Sequence, residues 1–186
     1  MESYSFFAMM ARLKWIDRWA LMRNSSDENL AEHSLDVAML AHALCMIGNE
    51  YLGESLNPDR AAVIGMYHDA SEILTGDLPT PVKYYNPDIK QAYKQVEKIA
   101  CNRLLSMLPE QLRACYEHDV LEDDPVVLPI IKAADKLSAY IKCVEEQKAG
   151  NTEFDSAAQQ TMDALRALEM PEMDWFMENC LEAFSL

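Results

Sequence analysis

Basic residues are scarce in this chain. Lysine and arginine number 16 against 31 aspartates and glutamates, leaving a formal net charge of −15. That balance argues against gripping duplex nucleic acid through its phosphates, which takes a basic surface. Most of the charge reads as a well-solvated surface. A small phosphorylated molecule stays admissible, because a metal ion and one or two arginines reverse the potential locally. Cysteine gives no framework either. Cys45, Cys101, Cys115, Cys143 and Cys180 are odd in number, scattered, and form no C-x-x-C pair. They read as small core residues in a reducing, cytoplasmic setting. No stretch reads as the roughly 20 apolar residues of a membrane span. The apolar run at residues 6–11 follows Glu2 and soon meets Arg12 and Lys14, unlike a signal peptide. Neither nucleic acid nor membrane is an expected partner.

Strand signals and glycine are also sparse, and helical periodicity fills the space. The chain has 186 residues, half of them hydrophobic, which suits one domain over 1–186 with a real core. A helix is expected over about residues 5–15. Asn29 and Glu32 form a capping-box pattern, after which His33, Val37, Leu40, Leu44 and Ile47 fall on one face until Gly48-Asn49. Asn57-Pro58 opens a helix bearing Ala61, Ile64 and His68. The prolines of Gly76-Asp77-Leu78-Pro79-Thr80-Pro81 exclude regular helix there. Another helix is expected over about 87–107, one after Pro129 with Asp135 on its apolar side, and two short ones at the end. The expected fold is an all-α, compact bundle.

Chemistry concentrates in three short strings: His33 in Glu32-His33-Ser34, His68-Asp69 in Tyr67-His68-Asp69-Ala70-Ser71-Glu72, and Asp135 in Ala134-Asp135-Lys136. In the order H…HD…D they offer imidazole and carboxylate donors for one divalent ion such as zinc, manganese or cobalt. Such an ion activates water at a phosphate. Taken singly, each residue favours a plainer role. A lone histidine on an apolar stripe is more often a hydrogen-bonded core residue, and Asp135 has Lys132 and Lys136 for ordinary surface pairing. As a set on three helices, the metal assignment overtakes those alternatives.

H-D-x-x-E occurs twice. The copy at His68 closes an apolar helix and takes the site. The copy at His118-Asp119-Val120-Leu121-Glu122 sits in an acidic, proline-terminated stretch and is expected to be chance on the surface. His42 lies nine residues after His33, half a turn round the helix, and is excluded. Glu72 shares a face with His68 and suits a general base or acid, against a solvated helix-end glutamate as the alternative. Asp77 is balanced between a loop cap and a substrate contact. Arg18 and Arg23 flank Trp19; arginine grips phosphate bidentately, and an indole packs on a sugar or base. Spacing alone does not separate that from a surface arginine and a core tryptophan.

These residues, with Leu21-Met22-Arg23-Asn24 and the string Gly76-Asp77-Leu78-Pro79-Thr80-Pro81-Val82-Lys83-Tyr84, resemble the HD-domain metal-dependent phosphohydrolases. More narrowly, they resemble the bacterial 5′-deoxynucleotidases of the YfbR type. The likeness runs through nearly the whole chain, into Met173-Asp174-Trp175-Phe176. It implies an HD-domain helical fold and one divalent metal on His33, His68, Asp69 and Asp135, with cobalt favoured in the test tube. It implies that Glu72 is catalytic and that Arg18 orients the phosphate, and Arg18 and Asp77 join Glu72 as the expected catalytic residues. Trp19 would lie near the sugar and help reject a 2′-hydroxyl, and Asp77, Leu78, Pro79 and Thr80 would touch the substrate together with His33, Asp69 and Asp135. The implied reaction is hydrolysis of deoxyribonucleoside 5′-monophosphates by a homodimer. The rivals are an HD phosphohydrolase for other nucleotides, or a non-catalytic binder that has lost ligands; all four ligands and Glu72 stand in this sequence.

Overall fold

A computed structural model describes residues 4–83, 85–122 and 124–185. Tyr84 of the motif string and Asp123 of the acidic stretch lie outside the described residues. The expected helix near the N-terminus is two pieces, α1 (Phe6–Met10) and a 3-10 turn (Leu13–Trp15). α2 (Leu30–Tyr51) opens on the anticipated capping box. The Asn29 side chain accepts from the N–H groups of Ala31 and Glu32, and Glu32 accepts from Asn29 N–H. It runs past Gly48-Asn49, and the chain turns away at Gly53 (φ 74°), beyond Leu52. By length and composition α2 could cross a membrane, which corrects the expectation that no stretch comes near that. In this fold it is the central core helix, with Val37, Ala41, Leu44 and Cys45 fully covered.

α3 (Pro58–Tyr67) is capped by Asn57 and ends at His68. Two four-residue helices follow, α4 (Glu72–Thr75) and α5 (Thr80–Lys83). Residues 76–79 are non-helical as expected, but Pro81 lies within α5. It sits in the first turn, where its missing N–H costs nothing. α6 (Pro87–Leu105) and α7 (Glu110–Val120) come next, the latter unanticipated. α8 (Leu128–Lys148), α9 (Asp155–Arg166) and α10 (Pro171–Asn179) complete the bundle, with short 3-10 turns after α8 and α10. Among the described residues there is no strand, only an isolated antiparallel bridge between Asp17 and Asn29. Three cysteines are buried as expected, but Cys115 is exposed.

Two large cores and one small one hold the helices. Of the large ones, one joins Val37, Leu44, Ile64, Ile131, Ala134 and Met173, and the other joins Phe6, Leu30, Ala70, Ile73, Leu104 and Val120; the small one joins Cys143, Phe154 and Ala158, with Trp19 packed against it. His33 falls between Leu30 and Val37, and His68 between Ile64 and Ala70, so the candidate ligands lie at the seam of the two large cores. α2 and α3 meet closely at Gly65. A Cβ there would stand 2.9 Å from the Ala38 Cα, so a side chain would push the two ligand-bearing helices apart.

Candidate metal centre

His33 is wholly buried on α2. Its Nδ1 lies 3.1 Å from Ser138 Oγ on α8, one turn beyond Asp135. Its Nε2 points the other way, 3.2 Å from Asp135 Oδ1 and 3.6 Å from Asp69 Oδ2. His68 is oriented in the same manner. Its Nδ1 lies 2.8 Å from the Gly65 carbonyl, which only accepts, so that nitrogen carries the proton. Its Nε2 lies 3.1 Å from Asp69 Oδ2. The ligand atoms of His33, His68 and Asp135 all lie within 4.8 Å of one another. Two donors each about 2.1 Å from a tetrahedral ion stand roughly 3.4 Å apart, which these separations match.

The donor set fits a cation for a second reason. Both Nε2 atoms are buried and make no hydrogen bond, although carboxylate oxygens stand near. Buried polar atoms are nearly always paired, so two buried ring nitrogens without a partner, set among the same carboxylates, mark a place for a ligand. Charge agrees. Burial pulls the His68 imidazole toward neutrality, but Asp69, Asp135 and Glu122 outweigh it and raise it to about 10. The carboxylates demand positive charge between them. Burial, helped by the Arg18 charge, lowers His33, which keeps that imidazole neutral as a ligand must be. Against burial, His33 holds Asp135 down at about 2. The Asp135 side chain is 41 % exposed, so the cluster opens to solvent on that side.

Glu72 begins α4 beside this cluster and is buried. Burial, then Asp69 and Asp77, push its carboxyl up to about 9. Its Oε2 has no hydrogen-bond partner, and its Oε1 lies 3.9 Å from Lys83 Nζ. Lys83 is itself paired to Glu97 at 2.7 Å. Arg18 is no surface residue: its side chain is 11 % exposed, and its Nη1 reaches to 3.8 Å from Asp69 Oδ2. Asp77, on the non-helical segment after Gly76, is half-buried; burial raises it, and the Arg18 charge opposes that. Leu78 and Pro79 are half-buried and Thr80 is exposed. The Trp19 indole stands beside Arg18, tilted on Phe154 at 5.3 Å between ring centroids. Arg23 is exposed, its backbone tied to Glu153 and Asn151.

The second H-D-x-x-E copy is not a surface accident. Asp119 is buried and paired with Arg60, and Glu122 couples electrically to His68, Asp69 and Asp135, burial pushing it up to about 7. Helix α7 leads into it, a helix that the acidic composition concealed. His42 stands apart from the cluster, as its position round α2 required. Ser138 and Glu28 are the polar partners that sequence reasoning missed. Ser138 was findable, since it lies three residues after Asp135 and so shares its face.

The all-helical fold is shared with solved structures described as HD-domain phosphohydrolases. A Listeria innocua protein of that description superposes with a TM-score of 0.84 at 22 % identity, covering 97 % of this chain and 88 % of its own. A cyanophage S-2L HD phosphohydrolase, described as bound to dA and one catalytic zinc ion, superposes at 0.66 with 18 % identity, covering 95 % and 96 %. The sequence narrows the class. Residues 5–184 match the family described as 5′-deoxynucleotidase YfbR-like, and the chain belongs to that family. The 5′-deoxynucleotidase of Erwinia tasmaniensis is 52 % identical over 97 % of this chain and 92 % of its own. The Escherichia coli 5′-deoxynucleotidase YfbR is 49 % identical over 100 % and 94 %.

Proposed function

We propose that this protein is a divalent-metal-dependent 5′-deoxynucleotidase that splits deoxyribonucleoside 5′-monophosphates into deoxynucleoside and phosphate, the whole chain 1–186 acting as one catalytic domain. The observation that carries this is the pair of orphaned Nε2 atoms of His33 and His68. They face Asp69 and Asp135 beside a buried Glu72, in a chain of the 5′-deoxynucleotidase family.

His33, His68, Asp69 and Asp135 would hold the ion. When bound, a divalent cation supplies Lewis-acid polarisation of a phosphate oxygen and lowers the pKa of water. Arg18 presents its guanidinium to the phosphate and offsets charge on the phosphoryl oxygens, work of positioning and electrostatics. Glu72, unpaired at Oε2 and set beside Asp69, positions the attacking water or takes its proton, the latter only once a bound cation's charge offsets the burial and carboxylates that hold its carboxyl up at about 9. Asp77 assists at the leaving 5′-oxygen or holds the sugar, with Leu78, Pro79 and Thr80 lining the same segment. Trp19 lies near the deoxyribose and helps reject a 2′-hydroxyl. The ion is of the cobalt, manganese or zinc kind, suited to imidazole and carboxylate. A cytoplasmic homodimer completes the assignment.

The test is phosphate release by metal-stripped protein given dAMP or AMP, with and without added cobalt or manganese. Metal-dependent release from dAMP well above AMP is expected. Equal rates would keep the phosphatase and remove the role of Trp19. No release from either, with metal bound, would move the assignment to HD phosphohydrolases of other nucleotides.

A further inference from the structure

We propose that Glu28 is the positioning residue that sets the phosphate arginine and the sugar-facing tryptophan together, through one carboxylate oxygen. This rests on the roles given to Arg18 and Trp19 above. Glu28 Oε2 accepts from Arg18 Nε at 3.0 Å and from Trp19 Nε1 at 2.8 Å. The shared acceptor comes with unusual backbone. Trp19 adopts φ 57°, a left-handed conformation that a bulky residue keeps only when its surroundings hold it.

The hold is built from both sides. Arg18 N–H donates to the Glu28 carbonyl at 2.9 Å, and Leu30 N–H to the Ile16 carbonyl at 3.0 Å, so the two segments lie in fixed antiparallel register. The loop leading to Glu28 is clamped to α8. Ser25 and Ser26 N–H groups donate to Glu146, and Lys142 Nζ donates to the Ser26 carbonyl at 2.6 Å. Glu28 therefore stands on a rigid support and is itself 11 % exposed at the side chain.

The chemistry follows from which donors remain. Nε of Arg18 is taken by Glu28, so the two terminal nitrogens are left for a phosphate, and Nη1 already lies toward Asp69 and the metal cluster. The indole N–H is a donor only, so its bond to the same oxygen fixes the ring plane. Glu28 in this way ties the grip on phosphate to the wall against the sugar. A glutamate that merely neutralised a buried arginine would touch binding of every nucleotide alike.

The experiment measures kcat and KM for dAMP and AMP in the metal-loaded full chain, for wild type, Glu28→Ala and Glu28→Gln, with metal content and circular dichroism alongside. Glu28→Ala is expected to keep its metal and helicity and lower kcat/KM on dAMP by on the order of 10- to 100-fold, as misplaced groups do. Its preference for dAMP over AMP should collapse. Glu28→Gln keeps a carbonyl that accepts from both donors, and should keep most of the preference. Should the alanine variant fail to fold, Glu28→Asp, too short to reach both donors, is expected to lose the preference in its place. A uniform loss on both substrates, with the preference intact, would overturn the proposal. So would a glutamine variant as unselective as the alanine one. Equal release from dAMP and AMP by the wild type would instead overturn the deoxyribose assignment on which the proposal stands.

Discussion

Helix α8 carries two largely buried polar clusters about two turns apart, and they are opposites. At Lys142 and Glu146 every donor and acceptor has an answer inside the protein. Lys142 Nζ meets Glu146 Oε1 at 2.5 Å and two oxygens of Ser26, while Glu146 also accepts from Ser25 and from Asn151 at 2.7 Å. At Asp135 and Ser138 the cluster is left open: the Nε2 atoms of His33 and His68 and the Oε2 of Glu72 have no partner. The residue types do not tell these clusters apart, since each is rich in charge and each is largely buried. What separates them is satisfaction. A network closed on itself is scaffold, and one that gathers several unpaired buried polar atoms at one place is a candidate ligand site.

That contrast is broken most sharply by substitutions at each end. His68→Ala removes a donor from the open cluster and is expected to abolish metal-dependent phosphate release, with elemental analysis showing the ion lost from otherwise helical protein. Retained activity with bound metal would end the assignment of His68. Glu146→Ala should do the reverse, destabilising the fold by about 3–5 kcal/mol, the usual cost of leaving one member of a buried ion pair alone. Urea denaturation reads this, and the fraction still folded should hold metal normally.

The closed cluster also makes a pH prediction. Burial raises the Glu146 carboxyl, but hydrogen bonds from Lys142, Ser25 and Asn151 overcome that and hold it well below the usual carboxylate range. A group depressed in the native state stabilises above its unfolded pKa, near ~4.3 for glutamate, and loses that contribution as the pH falls toward the folded value. Wild type should therefore lose its advantage over Glu146→Gln in acid. A gap in urea midpoint that stays constant from pH 7 down to pH 3 would contradict this.

The legibility of these features in the sequence followed the range of the interaction. The capping box at Asn29 and Glu32 depends on residues three apart, and the structure reproduces it. The four proposed ligands were visible because residue type and helix face already restrict them. Glu28 was invisible, since its bonds to Arg18 and Trp19 depend on a chain reversal closed by the bridge between Asp17 and Asn29. The closed cluster was hidden for the same reason: Glu146 meets Ser25 across 121 residues of sequence. Composition misled at Glu122, where an acidic stretch looked like surface although α7 turns its end toward the open cluster.

The mildest substitution lies within the open cluster, at its edge nearest the closed one on α8. Ser138 is buried, and its hydroxyl is the partner of His33 Nδ1. With the proposed ion on Nε2, the other nitrogen of His33 would carry the proton and donate it to Ser138 Oγ, which would fix both tautomer and ring plane. Ser138→Ala leaves the ligand set complete and removes only that orientation. Loss of such an outer partner typically weakens metal affinity by about 10- to 100-fold. The expected result is a shifted metal titration, with nearly normal turnover once metal saturates the site, and a urea midpoint little changed. An unaltered titration would show that packing against α8 orients His33 without help. The open cluster would then owe its geometry to the two large cores alone, as Gly65 and its close contact with Ala38 already secure for His68.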